Sequence, residues 1–175
     1  MSEMDWPPRR DLAGAVIAAG SFRVTVRPPG GITLISGDLT AGAAALAHGA
    51  PWLGLGGRAG SQPALAVIAR DRACLLTAAP LGISSRWDAR GFAVTPADDA
   101  WIFLSLEGPG AGEALAQGCA ADLDSGSPSA VALVTGAPAI VLRSDEGGYL
   151  LGIESPHVEA VLRWFEAIAA PANRG

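Results

Sequence analysis

Ala100-Trp101-Ile102-Phe103-Leu104-Ser105-Leu106-Glu107-Gly108-Pro109 decides the fold class. Trp101, Phe103 and Ser105 alternate with Ile102, Leu104 and Leu106. A strand with two apolar faces is buried on both sides, which places it centrally in a sheet. Gly108-Pro109 then ends the strand and starts a helix running to Gln117-Gly118, since Pro suits the first helical position and Gly the terminus.

Working outward, Val131–Thr135, Ala139–Arg143 and Tyr149–Ile153 read as an antiparallel run. Turns are expected at Gly136-Ala137-Pro138 and Asp145–Gly148. Ser155 and Pro156 signal a helix start. Val158, Val161, Leu162, Phe165 and Ile168 follow on one helical face.

Upstream, Phe92–Thr95 is a brief strand and Ala78–Gly91 reads as loop. Ala64–Ala69 and Arg72–Thr77 are short strands joined at Arg70-Asp71. Leu53–Pro63 reads as a Gly-rich loop. Asp38 caps a helix through Ala47, which Gly49-Ala50-Pro51 stops. Phe22–Arg27 alternates as a strand, and Ile32–Ser36 is expected to close a hairpin with it across Pro28–Gly31. Residues 1–21 form an arm, with Arg9–Ala19 as a possible short helix. The remainder, 22–175, is an α+β domain, divisible into 22–91 and 92–170.

Composition narrows the function. All twelve cations are Arg and no Lys is present, which excludes a Schiff-base Lys and a Walker-type phosphate loop. A net charge of −5 argues against nucleic acid as a partner. The charge is uneven: nine Arg against six acids over residues 1–90 gives +3, and three against eleven over 91–175 gives −8. Either this is ordinary surface variation or one half faces an anionic partner. The longest strictly apolar run, Ala64–Ala69, is far short of the roughly 20 residues of a membrane span. Arg9-Arg10 before Leu12–Ala19 imitates an export signal, but acids flank the pair. Cys74 and Cys119 define no disulfide framework, so a cytoplasmic location is expected.

The chemical inventory is sparse. Gly54–Gly60 imitates a dinucleotide loop, but its third glycine is one position late and no helix follows. His48 and His157 lack neighbours at metal-ligand spacing. Cys119 sits at a helix C-terminus, where the dipole disfavours a thiolate, and Cys74 lies within an apolar strand. Asp98-Asp99 suits a turn better than paired acid–base work. Tryptophans in irregular segments either anchor an interface or plug the edge of their own core. Trp52, Arg86, Trp87 and Arg90 are the candidate interface residues.

Four segments, in order, resemble the gamma subunit of heterotetrameric sarcosine oxidase. They are Ile32–Asp38, Ala64–Ala79, Ala93–Leu106, and the run Leu106-Glu107-Gly108-Pro109 through Gly118-Cys119-Ala120-Ala121-Asp122-Leu123. The closing hairpin and the Trp164-Phe165 helix are also similar, so the likeness spans residues 22–168. Two departures stand out. The family's helix after the second strand pair has no room in Ala78–Gly91, and its Cys-Pro step is Cys119-Ala120.

The resemblance implies a fold related to the folate-binding domains of the glycine-cleavage T-protein. It implies a non-catalytic subunit that binds no cofactor or metal itself. FAD, FMN, NAD, tetrahydrofolate and zinc would sit on partners: alpha- and beta-type flavoprotein subunits and a small zinc-binding delta-type subunit. The complex would demethylate an N-methyl amino acid oxidatively and pass the one-carbon unit to tetrahydrofolate. A stand-alone folate-binding or one-carbon transferase module is the alternative, and a self-associating domain a third.

Overall fold

The computed structural model describes residues 12, 14–27, 30–60 and 63–170. The strands are β1 (Val16–Ala18), β2 (Arg23–Val26), β3 (Gly31–Gly37), β4 (Trp52–Leu53), β5 (Arg58–Ala59), β6 (Ala64–Ala69), β7 (Arg72–Thr77), β8 (Arg86–Asp88), β9 (Phe92–Pro96), β10 (Trp101–Glu107), β11 (Val131–Val134), β12 (Ala137–Ser144) and β13 (Tyr149–Glu154). The helices are α1 (Leu39–Leu46), α2 (Ala111–Ala116) and α3 (Val158–Ala169).

β10 is central, as its two apolar faces predict. One sheet runs β1-β2-β10-β13-β12-β11, with β5 pairing β12 in parallel, and the other runs β4-β6-β7-β3-β9-β8. The class is α+β. Leu104 and Leu106 lie across from Val26 and Val24 and face α2 and α3. Ile140 and Leu142 point the other way, into a core shared with Ile32, Ala66 and Cys74 of the second sheet. Ala43 and Ala47 of the α1 segment close a smaller core over Ile35, Leu65 and Leu75.

Several expectations are corrected. β2 and β3 form no hairpin: they lie in different sheets, and both edges of β3 are taken by β7 and β9. In the Arg9–Ala19 segment, Val16–Ala18 is an edge strand; residues 1–11, and Trp6 with them, lie outside the described residues. The Leu53–Pro63 stretch contains the end of β4 and all of β5, and Ala78–Gly91 contains β8. These strands of two or three residues are too short to show a period. The β11–β12 turn is Thr135-Gly136, both at positive φ (53° and 85°), the two-residue geometry of a tight hairpin. Ala137 and Pro138 already belong to β12. Ser155 does not cap α3. It opens a 3-10 turn, Ser155–His157, and its Oγ donates to the Asp99 carbonyl at 2.5 Å.

The two sheets are built alike, and each borrows a hairpin from the other half of the chain. β3 leads through Gly37 into α1, then β6 and β7 return beside it; β10 leads through Gly108 into α2, then β12 and β13 return. The remaining neighbour of β3 is the hairpin β8–β9, and that of β10 is the hairpin β1–β2. A cut between residues 91 and 92 would divide the β8–β9 hairpin.

The equivalence reaches atomic detail. Gly37 has φ +95°, and a Cβ there would lie 2.5 Å from the Gly91 oxygen and 3.3 Å from Phe92 Cα. Gly108 has φ +105°, and a Cβ there would lie 2.7 Å from the Ser21 oxygen and 3.1 Å from Phe22 Cα. Only glycine meets both the positive φ and the close approach. The Asp38 N–H donates to the Gly91 oxygen at 2.9 Å. Pro109 has no N–H, so Gly110 donates to the Ser21 oxygen instead, at 2.7 Å. The halves differ in one respect. β13 leads into α3, which packs on β1, whereas β7 leads into the non-helical stretch 78–85.

Candidate functional site

β8 ends the second sheet, and its hairpin holds three of the four candidate interface residues. The turn is closed by the Gly91 N–H donating to the Asp88 carbonyl at 3.0 Å, with Gly91 at φ +91°. Trp87, at 68% exposure, is the most exposed large apolar residue among those described. It pairs with Ala93, while Arg86 and Asp88 pair with Val94 and Phe92. Phe92 packs beneath α1 beside Gly42. Residues alternate across a sheet, so Arg86 lies on the α1 face and Trp87 on the opposite one.

Arg90 is committed to its own hairpin. Its Nε donates to Asp88 Oδ1 at 2.8 Å and its Nη2 to Oδ2 at 2.9 Å. Its backbone N–H also reaches Oδ1, at 3.0 Å. The side-chain hydrogen bonds first, and the backbone bond second, hold the Asp88 carboxyl well below the usual carboxylate range. The side-chain bonds to Asp88 raise the Arg90 pKa. The guanidinium lies 5.1 Å from the Phe92 ring centroid, in cation–π range. Arg90 is therefore a brace, its charge cancelled by Asp88. Arg86 forms no ion pair among the described residues.

Trp52 is not part of this patch. It sits on β4 at the far edge of the same sheet, 46% exposed and paired with Leu65 on the α1 face. Five strand spacings, about 24 Å, separate it from β8. The two tryptophans occupy opposite edges and opposite faces.

The other candidates are occupied by structure. The Gly-rich segment is pinned rather than free: a Cβ on Gly54 would lie 1.9 Å from the Ser127 oxygen, and Leu55 N–H donates to the carbonyls of Ser127 and Ser129. The close approach lets the chain cross to β12, where Arg58 reaches Asp145 at 4.0 Å. Asp98 Oδ1 accepts the Ile32 N–H at 2.6 Å, tying the β9–β10 turn to β3. Cys74 and Cys119 are buried free thiols. Burial first, and Glu154 second, push the Cys74 thiol up to about 12, away from nucleophilic reactivity. His48 and His157 are exposed. Among the described residues no three His, Cys, Asp or Glu side chains group as metal ligands, and no helix is long and apolar enough to cross a membrane.

The charge split along the chain does not divide the molecule into a basic and an acidic half. The exchanged hairpin carries Arg23 into the sheet of the acidic half, opposite Glu107, and Arg143 pairs with Asp124 within that half.

The internal repeat was the feature sequence reasoning missed. Its signal is present: a Phe stands at the start of β2 (Phe22, just before it) and of β9 (Phe92), and an apolar-polar-Gly step, Ile35-Ser36-Gly37 and Leu106-Glu107-Gly108, closes β3 and β10 before a helix.

Taken together, the described residues define a duplicated α+β sandwich with an exposed aromatic edge. No protein-family model and no curated protein matches the sequence. Among solved structures, the fold is similar to a chain of the heterotetrameric sarcosine oxidase from Corynebacterium sp. U-96, determined in complex with pyrrole 2-carboxylate. The TM-score is 0.65 over 94% of this chain and 93% of that one, at 17% sequence identity. At that identity the likeness is one of fold.

Proposed function

We propose that this chain is a gamma-type accessory subunit of a flavin-dependent, sarcosine oxidase-like complex. One observation carries the reading: the fold correspondence runs nearly the full length of both chains, so the counterpart is a whole subunit of a multi-chain oxidase. The pinned Gly-rich segment and the inert Cys74 agree with a chain whose work is assembly. In the complex, the N-methyl carbon of an amino acid gives two electrons to a flavin, and the oxidised carbon passes to tetrahydrofolate. That chemistry belongs to cofactors. FAD, FMN, NAD and tetrahydrofolate are assigned to alpha- and beta-type partner chains and zinc to a delta-type chain, in the cytoplasm. This chain contributes a docking edge centred on Arg86 and Trp87, with Arg90 bracing it. Trp52 marks a second contact on the other edge of the sheet.

Co-expression with alpha-, beta- and delta-type chains, followed by gel filtration, tests the reading. Co-elution in one assembly is expected. If this chain elutes alone while the others assemble fully and oxidise an N-methyl amino acid, the reading fails.

A further inference from the structure

The internal repeat exposes an asymmetry at β8. The edge strand of the first sheet, β1, is packed by α3. Its counterpart β8 is preceded only by the non-helical residues 78–85, all exposed except the half-buried Ile83. The two registers align Phe22 with Phe92, Arg23 with Ala93 and Ala18 with Trp87. A large aromatic therefore stands, mostly exposed, where β1 carries an alanine that is itself exposed. Within the Ala78–Ser85 stretch, Leu81 is also exposed, at 38%.

The backbone of β8 has a direction. The Asp88 carbonyl accepts the turn bond from Gly91, so it points toward β9. In an antiparallel ladder successive residues point alternately at and away from their partner strand. The N–H and C=O of Trp87 thus face out of the sheet, where no further strand follows among the described residues. Edge groups of this kind are a template for one more strand.

We infer that the free edge at Ser85–Trp87 takes one extended strand from a partner subunit, with an apolar residue beside Trp87 and a carboxylate beside Arg86. This deepens the accessory-subunit reading and rests on it. The charge argument selects the partner. Arg86 forms no ion pair among the described residues; it acts on Asp88 only through its field, while Arg90 holds that carboxylate by direct hydrogen bonds. A second copy of this chain, pairing Arg86-Trp87-Asp88 antiparallel to itself, would set Arg86 against an Asp88 that Arg90 already holds. A foreign strand with its own acid meets the unpaired charge.

The test uses the co-expressed complex of this chain with its alpha-, beta- and delta-type partners. Trp87→Ala removes the side chain and keeps the N–H; Trp87→Pro removes both, at a position whose N–H does not serve β9. Trp87→Ala is expected to weaken assembly about tenfold, as the loss of an aromatic anchor does. Trp87→Pro should weaken it about fivefold more, the scale of one backbone hydrogen bond. Arg86→Glu should also weaken assembly. Amide exchange on the unaltered complex reads the backbone without mutation: the Trp87 N–H is expected to slow on assembly.

Unchanged exchange at Trp87, or variants that assemble like the parent, would overturn the added strand while leaving the accessory-subunit reading intact. Failure of the parent chain to join the partners would overturn both. A dimer of the isolated chain that Trp87→Ala dissociates would assign the edge to a second copy and overturn the proposal.

Discussion

Gly108→Ala tests the exchanged hairpin. At φ +105° a side chain is strained, at about 1–2 kcal/mol. The added Cβ would also sit 2.7 Å from the Ser21 carbonyl oxygen, a backbone atom that no rotamer change can move aside. Relief requires the β1–β2 turn to back away, which breaks the 2.7 Å bond from the Gly110 N–H to that oxygen and costs about 1 kcal/mol more. The total is about 2–3 kcal/mol. Gly49→Ala supplies the control: φ is +81°, but nothing lies within 4 Å of the added carbon, so only the strain remains. The entropy a Gly→Ala change removes from the unfolded chain is common to both. In urea, with a slope of about 2 kcal/mol/M, Gly108→Ala should lower the midpoint by about 1–1.5 M, roughly one and a half to two times the shift of Gly49→Ala. Gly37→Ala, where the contact is with the Gly91 oxygen at 2.5 Å, should behave like Gly108→Ala. If Gly108→Ala is no worse than Gly49→Ala, the hairpin does not seat on the β10–α2 corner and the duplicated arrangement is wrong.

Three further outcomes are expected. Phe165→Ala should destabilise the chain by about 3–5 kcal/mol in urea melts, because Phe165 is fully buried and meets Trp164 at 4.6 Å and Phe22 at 6.2 Å between ring centroids. Cys74 has a folded pKa of about 12 against 9.0 ordinarily, so the unfolded chain loses this proton first. Its stabilising contribution is full below pH 9.0 and falls as pH rises from there toward 12, a decline that Cys74→Ala should reduce in urea melts across this range. Asp88, held low by Arg90, should titrate by carboxyl NMR below the usual range, and Arg90→Gln should return it upward; the stabilisation is present above the ordinary pKa and is lost as pH falls through the lowered one.

What could be read from the sequence depended on length and period. β10 and α3 were legible because seven residues with two apolar faces, and twelve with one, leave little choice of environment. β4 and β5 were not, because their existence depends on partners further along the chain, Leu65 and Arg143 among them, and β8 was not, because a strand of three residues shows no period. The assumed β2–β3 hairpin followed from adjacency, whereas β2 completes the sheet of the other half and β3 stays in its own. At the candidate site, the exposure of Trp87 and the charge of Arg86 were visible in the residues themselves. That Arg90 is spent on Asp88, and that Trp52 lies across the sheet, follow from a turn and a strand order that local patterns do not encode.

The most direct measurement of the central claim is the composition of the co-expressed assembly by native mass spectrometry. This chain is expected in it with the alpha-, beta- and delta-type subunits, and Arg86→Glu combined with Trp87→Ala should selectively remove it while leaving its own fold intact. An active assembly of the other subunits from which the unaltered chain is missing would contradict the central claim.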